Sequence, residues 1–530
     1  MIKINQLKLP VGHSQKDLED KIRKTLRIPS KETFHYEVMR RSLDARKKPS
    51  LFYVYCIYVT IRQENSIVKK LHQPSVSLVT ETGYRFSEMG HERLNRRPVI
   101  VGAGPCGLFA AWQLTLAGYA PLILERGKQV EDRSADVERF WKTGILQPDS
   151  NVQFGEGGAG TFSDGKLNTV VKDPSGRNRY VLETFVKFGA PSEILYDAKP
   201  HIGTDILAKV IKNMRDYLIK HGAEFRFQTC LKDIQIKENA LQALVTEDDT
   251  VIPADVAILA LGHSARDTFT MLHRHQLPME AKNFAVGFRV EHPQQMIDDA
   301  MYGKRNALRL PAAPYKVTSN FPNGRGVYSF CMCPGGYVVN ASSMKEKTCV
   351  NGMSYSGRSG KNANSAIIVS VSPADYGAQD PLDGMHFQET LEHKTYQLGN
   401  GKIPQQLFGD YRQNIASQGY GDFNSQTKGQ TCFANLRGLM TEDMEHSFLL
   451  GMEHFSNIIP QFDRSDAILS GMETRTSSPV RIMRDTNGES RVHGIYPGGE
   501  GAGYAGGIMS AAMDGLRLAD DVMKRYHPVY

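Results

Sequence analysis

Residues 97–126 read RPVIVGAGPCGLFAAWQLTLAGYAPLILER, and this stretch determines the architecture of the chain. A short apolar strand leads into the array G-x-G-x-x-G, which is formed by Gly102, Gly104 and Gly107. An apolar helix is expected to follow at Leu108–Ala117. The order strand, glycine turn, helix and strand is typical of the βαβ unit of a parallel sheet. The sequence therefore predicts a Rossmann-type α/β domain.

Each glycine of the array has its own physical role in binding a dinucleotide. Gly102 permits a tight turn, Gly104 lets the backbone approach a pyrophosphate, and Gly107 lets the helix pack close to the strand. The helix N-terminus then presents unpaired N–H groups to the phosphates. Glu125, at the end of the second strand, is placed to accept hydrogen bonds from a ribose diol. Further contacts are expected from Ala103, Pro105, Cys106 and Arg126.

A second glycine-rich segment, residues 151–169, reads NVQFGEGGAGTFSDGKLNT. Its end imitates the G-x-x-x-x-G-K loop of nucleoside triphosphatases. Leu167, however, stands where Ser or Thr would hold magnesium, so we reject that interpretation. The segment is better explained as backbone that wraps a cofactor. The expected contacts are Gly157, Gly158, Ala159, Gly160 and Thr161.

Two later segments carry a family resemblance. Residues 254–262, ADVAILALG, resemble the D-x-hydrophobic-x-A-T-G stretch of two-dinucleotide-binding flavoproteins, with Leu261 in place of Thr. Residues 494–508, GIYPGGEGAGYAGGI, match the C-terminal motif of the same class, with Glu500 in place of the commoner Asp. The chain thus resembles a family of uncharacterised FAD-dependent dehydrogenase-like proteins that join a small N-terminal module to a flavin domain.

The resemblance implies bound FAD in a fold like that of glutathione reductase or p-hydroxybenzoate hydroxylase. It assigns the ribityl chain of FAD to Glu500, and it places the N-terminus of a helix at Met509–Leu518 near the flavin pyrimidine edge, where negative charge develops on reduction. NAD(P)H is a possible transient donor, since residues 280–465 contain no convincing second G-x-G-x-x-G array. The remaining expected cofactor contacts are Leu231, Ala260, Leu261, Gly262, Gly499, Gly501, Gly506, Gly507 and Ile508.

The segments divide the chain into four expected parts. Residues 1–96 form a small basic α+β module, in which Ser14 and Asp17 predict a capped helix start. Residues 97–275 form the first part of the FAD-binding domain, with one strand expected at Glu224–Ile236. Residues 276–465 form an inserted strand-rich α+β substrate domain, and residues 466–530 complete the FAD-binding domain.

Composition restricts partners and location. Residues 1–97 hold 20 Lys and Arg against 10 Asp and Glu, although the net charge of the whole chain is only +7. The N-terminal module is thus either a solvated basic face or a binding surface for an anionic partner such as RNA, a protein or a membrane. No apolar run is long enough to span a membrane. Seven dispersed cysteines and the absence of a signal-like N-terminus predict a cytoplasmic protein.

Candidate catalytic cysteines are few. The C-x-x-C and C-x-x-x-x-C spacings of flavin disulfide reductases do not occur, and only Cys331 and Cys333 form a close pair, C-x-C. A packing role is favoured for them, and a substrate-facing redox or nucleophilic role stays open. Two thiolates, even with Cys349 nearby, do not make a convincing metal site, so no metal is expected.

The charged candidates are equally ambiguous. Arg289, Arg358 and Arg475 lie in segments rich in small residues, where each is either a structural arginine or a bidentate ligand for a substrate carboxylate. His201 and His263 adjoin family-like turns and either titrate near neutral pH or bond to backbone. No general base stands out.

The best functional hypothesis is an FAD-dependent oxidoreductase whose unidentified small-molecule substrate binds between the flavin and the strand-rich domain. Two alternatives are an RNA-linked flavoprotein of the tRNA-modifying type, motivated by charge alone, and a non-enzymatic flavin-binding protein. The sequence does not indicate an oligomeric state.

Overall fold

The computed structural model describes residues 1–80, 83–307 and 310–529. The chain begins with an α+β module whose elements are β1 (Ile2–Pro10), α1 (Gln15–Leu26), β2 (His35–Asp44), β3 (Phe52–Thr60), α2 (Glu64–Leu71) and β4 (Val76–Leu78). The strands form an antiparallel sheet of order β2-β3-β1-β4, and the two helices pack on one face of it.

Helix α1 begins where the sequence predicts. The Ser14 hydroxyl accepts the Asp17 N–H, and the Asp17 carboxylate accepts the Ser14 N–H in return, which confirms the expected capping box. Leu18, Ile22 and Leu26 follow at helical spacing and are buried against the sheet.

The next part of the chain alternates strands and helices. Its elements are β5 (Glu92–Arg93), β6 (Val99–Val101), α3 (Pro105–Leu116), β7 (Leu122–Leu124), α4 (Val130–Thr143), α5 (Arg177–Lys187), α6 (Gly203–Lys220), β8 (Glu224–Arg226), β9 (Leu231–Lys237), β10 (Ala240–Thr246), β11 (Val251–Pro253), β12 (Ala257–Leu259), α7 (Arg266–Arg274) and β13 (Met279–Ala281). Short 3₁₀ turns lie at Ala159–Phe162 and Ser192–Leu195.

The last part is strand-rich until its final helix. Its elements are β14 (Phe284–Pro293), α8 (Gln294–Tyr302), α9 (Lys304–Ala307), β15 (Thr318–Asn320), β16 (Gly326–Cys333), β17 (Tyr337–Asn340), β18 (Val350–Met353), β19 (Asn362–Val371), α10 (Asp383–Gly399), β20 (Ile403–Leu407), α11 (Phe408–Gln413), β21 (Thr431–Phe433), α12 (Glu442–Ser456), β22 (Ile468–Glu473), β23 (Val480–Ile482), β24 (Ile495–Pro497), α13 (Ile508–Arg525) and β25 (Tyr526–His527). A 3₁₀ turn lies at Pro373–Tyr376.

A parallel sheet of order β24-β12-β6-β7-β8 forms the nucleotide-binding part. Strands β6, β7, β12 and β24 are buried throughout, as expected for a parallel sheet covered on both faces, whereas the edge strand β8 is half-buried. Helices α3 and α13 pack closely because Gly515 has no side chain: a Cβ there would lie 2.1 Å from the Cys106 carbonyl oxygen. All strands run in one direction, so the turns after β6, β12 and β24 meet at one edge of the sheet.

A second, seven-stranded sheet has the order β15-β16-β19-β14-β22-β20-β21. Its pairings are antiparallel except that between β20 and β21. The long central strands β14 and β19 are buried almost throughout, and α12 covers one face. The chain is therefore an α/β protein with a Rossmann-type sheet and an additional strand-rich unit, which confirms the predicted fold class.

Three element boundaries differ from the prediction. Helix α3 begins at Pro105 rather than Leu108, because Gly104 caps it and the fixed φ of Pro105 suits its first turn. The single strand expected at Glu224–Ile236 is wrong, since β8 and β9 belong to different sheets. Helix α13 continues to Arg525, well past Leu518.

None of the helices in the described part of the chain is both long enough and apolar enough to cross a bilayer.

Candidate active site

A cavity of about 590 Å³ opens at the carboxyl ends of β6, β12 and β24. The turns at residues 102–106, 260–265 and 498–500, which follow these strands, line it together with the glycine-rich segment around residue 158. Gly104 and Glu500 therefore face one cavity, although they are far apart in the sequence. This is the arrangement that a single extended cofactor requires.

Most of the expected cofactor contacts line this cavity. They are Gly102, Gly104, Pro105, Cys106, Glu125, Arg126, Gly158, Ala159, Gly160, Leu231, Ala260, Leu261, Gly262, Gly499, Glu500, Gly506, Gly507 and Ile508. The structure does not place Ala103, Gly107, Gly157, Thr161 and Gly501 in the lining. All five are buried. A Cβ at Gly107 would meet the Gly102 oxygen and one at Gly501 the Gly262 oxygen, so both glycines serve close packing.

Glu125 joins the first turn to the glycine-rich segment. Its Oε2 accepts the Ala103 N–H at 2.8 Å, and its Oε1 accepts the N–H groups of Gly127 at 2.9 Å and Gly155 at 3.0 Å. A carboxylate has about four acceptor positions, so about one is left for a ribose hydroxyl. The expected ribose contact is compatible with this geometry, and Glu125 also orders the turn itself.

Arg133, which no sequence motif indicates, fixes the glycine-rich segment. Its fully buried guanidinium donates to the carbonyl oxygens of residues 151, 152, 155, 156 and 158 at 2.7–3.2 Å. Burial lowers the pKa of Arg133 to about 10, so the side chain stays charged at neutral pH. An isolated arginine on a helix has no sequence signature, so only the fold reveals this role.

Replacing Arg133 with lysine should lower the free energy of unfolding by about 2 kcal/mol, because an ammonium cannot reach five carbonyl groups and leaves some of them buried and unpaired. The same substitution should also lower the affinity for FAD, because Arg133 fixes the glycine-rich segment that lines the cavity. Urea unfolding followed by circular dichroism measures the first effect, and equilibrium dialysis the second. Arg139→Lys, at a half-exposed position of the same helix, should change stability by less than about 0.5 kcal/mol. Equal effects at both positions would contradict the assignment.

The C-terminal turn is held by a residue that no motif predicted. Asp514 on α13 accepts the Gly499 N–H at 2.8 Å and forms an ion pair with Arg484 at 2.6 Å. Glu500 follows directly and lines the cavity. Burial raises the pKa of its carboxyl, against the opposing charges of His263 and Lys282.

The glycines at the start of α13 leave room for a bound group. A Cβ added at Gly506 or Gly507 would meet no protein atom within 4 Å, and one at Gly104 would meet only Gly158 Cα at 3.7 Å. All three glycines border the cavity. Backbone amides at two helix N-termini, those of α3 and α13, thus border an open space, as the phosphates and the flavin ring of FAD require.

The strand-rich unit supplies another part of the cavity wall. Its lining residues are Phe330, Cys331, Asn351, Glu473, Arg475 and Thr476. Asp164 and Lys166, from the end of the glycine-rich segment, stand beside them. Of these, only Cys331 and Arg475 were predicted from the sequence as candidate site residues, because the lining residues become neighbours only when the two sheets meet.

The candidate arginines all have acidic partners. Arg475 lines the cavity, but its Nε and Nη2 each donate to Glu392 at 2.8 Å. The structure does not place Arg358 or Arg289 in the lining. Arg358 forms a bidentate pair with Asp164, and Arg289 lies 2.7 Å from Glu473. None of the three guanidiniums is left without a partner to clamp a substrate carboxylate.

The candidate histidines differ in position. His263 lines the cavity, and its Nε2 lies 2.9 Å from the Arg475 carbonyl oxygen. His201 stays outside the lining, with Nε2 3.3 Å from the Ser356 carbonyl oxygen, and burial lowers its pKa.

The two cysteines of the C-x-C pair are in contact. Cys331 is half-buried and lines the cavity, whereas Cys333 is fully buried behind it. The Cys333 thiol donates a hydrogen bond to the Cys331 carbonyl oxygen, with Sγ 3.2 Å from it. The neighbouring Cys333 side chain and the charges of Lys166 and Arg289 lower the pKa of Cys331, while burial raises the pKa of Cys333.

One group of possible metal ligands occurs among the residues that the structure describes. Ligand atoms of Cys230, Glu247 and Asp267 lie within 4.8 Å of one another. Asp267 is already paired with Arg126 at 2.8 Å, and burial raises the pKa of Cys230 to about 12, so its thiol is protonated. These contacts do not favour a metal ion there.

Three family models match the chain. Residues 283–476 match the C-terminal domain-like model of FAD-dependent proteins, and residues 100–139 match the NAD(P)-binding Rossmann-like domain. Residues 1–60 match a domain of unknown function, DUF8436. A protein of Clostridium beijerinckii, described only as uncharacterized, is 42% identical over 531 residues, which cover 99% of each chain.

Solved structures show only distant likeness. The quinol fumarate reductase FrdA of E. coli has a TM-score of 0.36 and 11% identity, over 82% of this chain and 71% of that one. The L-amino acid deaminase of Proteus myxofaciens has a TM-score of 0.34 and 11% identity, over 85% and 95%. These scores are too low to transfer an activity.

Proposed function

We propose an activity for this chain, which belongs to the same family as the Clostridium beijerinckii protein. The chain carries the C-terminal domain of FAD-dependent proteins and is an FAD-dependent protein. The proposed activity is that of an oxidoreductase acting on a small substrate at the wall of the strand-rich unit. The proposal rests on one observation. The glycine turns suited to FAD and the polar residues of the strand-rich unit line the same cavity.

FAD, when bound, supplies two-electron chemistry. The chain supplies position and charge. The turns at Gly102 and Gly104 and the N-terminus of α3 would hold the phosphates, with Glu125 at a ribose. Glu500 would accept hydrogen bonds from the ribityl chain. The N-terminus of α13 would stabilise negative charge at the reduced ring, because the helix dipole is positive there.

Glu473 is the best candidate for moving a proton at the substrate side. Its carboxyl is buried at the cavity wall, and burial raises its pKa to about 7, although Arg289 opposes this rise. A carboxyl with such a pKa is protonated below neutral pH and ionised above it, so it can both give and take a proton near neutrality. Arg289, 2.7 Å away, holds the carboxyl in place.

The purified chain should be yellow and should release FAD, about one per chain, on denaturation. Chromatography and mass spectrometry of the released flavin identify it, and dithionite should bleach the bound form. Stopped-flow reduction by a panel of amino acids, hydroxy acids, amines and NAD(P)H would then give the substrate class. A chain that neither carries flavin nor takes up added FAD would contradict the proposal.

Gly506→Leu should abolish FAD binding, because Gly506 lines the cavity and a Cβ there would meet no protein atom within 4 Å, so the added side chain would compete with the cofactor for that space. Gly419→Leu is the matched control. Gly419 is likewise exposed and free of neighbours within 4 Å, but it lies outside the cavity lining.

An anionic partner at the basic N-terminal sheet stays a prediction.

A further inference from the structure

The C-x-C pair in the substrate wall has the parts of a thiol exchange site. We propose that Cys331 and Cys333 form a redox pair that reduces small disulfides entering the cavity. The proposal rests on the proposed function only in its last step, in which a two-electron donor, reduced FAD, would restore the dithiol.

The backbone brings the two thiols together. Strand β16 shifts register against β19 between Phe330 and Cys333, and Cys331 adopts the left-handed region with φ +45°. Such a conformation is uncommon for a residue other than glycine and is maintained here by its surroundings. Arg289 Nη1 donates to the Cys331 carbonyl at 2.8 Å, and Lys166 Nζ donates to the Met332 carbonyl. The bulge thus fixes Cys331 at the cavity wall, with the Cys333 thiol against its carbonyl group.

The two thiols are placed for different steps. Cys331 lines the cavity and can be reached by a ligand, whereas Cys333 lies behind it, fully buried. The neighbouring Cys333 side chain and the charges of Lys166 and Arg289 favour the thiolate of Cys331. An attacking thiolate that faces the cavity, with a buried resolving thiol beside it, is what disulfide reduction needs.

The step balances with groups already in the site. The Cys331 thiolate attacks one sulfur of the ligand, the ligand S–S bond breaks, and the leaving thiolate takes a proton from the Glu473 carboxyl. Cys333 then gives its proton to the Glu473 carboxylate and attacks Cys331 Sγ, which releases the second thiolate. Two electrons pass from the pair to the ligand, and the pair ends as a disulfide. Glu473 is suited to this because burial raises its pKa to about 7.

The test uses the full chain, reduced and desalted, with 4,4′-dithiodipyridine as the probe disulfide at pH 6. Wild type should release two equivalents of thiopyridone in a fast phase, and peptide mass spectrometry should find a Cys331–Cys333 cross-link. The fast phase should exceed the rate at Cys56 and Cys432, two half-buried cysteines outside the cavity, by about tenfold. The higher thiolate fraction of Cys331 is partly offset by its lower nucleophilicity.

The variants separate the two roles. Cys333→Ser should release one fast equivalent and leave a pyridyl adduct on Cys331, and Cys331→Ser should lose the fast phase. Lys166→Met should move the pH dependence of the fast phase upward, and Lys166→Arg should restore it. Circular dichroism checks that each variant is folded. Adducts without a cross-link, or a Cys331 rate equal to that of Cys432, would overturn the proposal.

The same samples distinguish this proposal from the proposed function, because exchange with the probe needs no flavin. FAD content is measured in each sample. A chain that binds FAD but lacks the fast phase refutes the thiol pair alone, and a fast phase in a chain that binds no FAD refutes the oxidoreductase assignment alone.

Discussion

Replacing Glu392 with glutamine should lower the free energy of unfolding by about 3–5 kcal/mol. The Glu392 carboxylate, on α10, is fully buried and forms bidentate pairs with Arg266 on α7 and with Arg475 after β22, all at 2.8 Å. A neutral amide would remove the bidentate counter-charge from two buried guanidiniums, and Arg266 would keep only Glu389 at 3.8 Å. Urea unfolding of the variant, followed by circular dichroism, measures the loss.

Glu389→Gln is the matched control for this substitution. Glu389 lies on the same helix, 3.8 Å from Arg266, but it is partly exposed and has no bidentate partner. Its loss should cost less than about 1 kcal/mol. Equal effects of the two substitutions would show that the buried charge at Glu392 is not what joins α10 to α7.

The contribution of Glu392 to the free energy of unfolding should decrease at low pH and should not change at neutral or mildly alkaline pH. Burial raises the pKa of Glu392, but Arg266 and Arg475 outweigh it and hold the pKa well below its usual range. A carboxyl whose pKa is depressed by folding stabilises the fold above its unfolded pKa, about 4.3, and loses that contribution as pH falls toward the folded value. The difference in the free energy of unfolding between wild type and Glu392→Gln should therefore be constant from pH 6 to 8 and decrease only at acidic pH.

Alanine substitutions at two nearby glycines should affect different properties, stability at Gly107 and FAD affinity at Gly104. At Gly107 a Cβ would lie 1.9 Å from the Gly102 carbonyl oxygen, so the backbone of α3 or β6 must shift. We expect Gly107→Ala to cost about 3 kcal/mol of unfolding free energy, even without cofactor. At Gly104 the nearest atom would be 3.7 Å away, so Gly104→Ala should leave the apo protein as stable as wild type.

Gly104→Ala should instead weaken FAD binding at least about tenfold, or 1.4 kcal/mol, because the methyl group would border the cavity where the pyrophosphate approaches. Thermal unfolding of the apo proteins and FAD titration by fluorescence quenching separate the two effects. If Gly104→Ala bound FAD as wild type does, the first glycine turn would not be the phosphate site.

The cofactor edge could be predicted from the sequence because its geometry depends on glycines at fixed spacing. Gly102, Gly104 and Gly107 occupy the positions that the fingerprint implies, one in a turn, one at the cavity and one beneath the helix. The predicted helix boundaries were less accurate, as at Pro105, because capping depends on the local backbone conformation.

The substrate wall could not be predicted in the same way. Lys166, Asn351 and Glu473 come from three distant segments, and single polar residues have no periodicity that would indicate burial. Their neighbours are determined by the strand order of the seven-stranded sheet, which depends on long-range pairing. Cys331 was a candidate only because a second cysteine lies two residues away.

The strand order of the parallel sheet has a consequence for synthesis on the ribosome. β24 pairs with β12, which is made much earlier, so at 5–20 residues per second the nascent β12 waits roughly ten to fifty seconds with a free edge. The turn at Gly499 and the first turn of α13 emerge later still. The cofactor compartment can therefore close only around a nearly finished polypeptide, and a product interrupted before β24 would remain colourless and prone to aggregate along that edge.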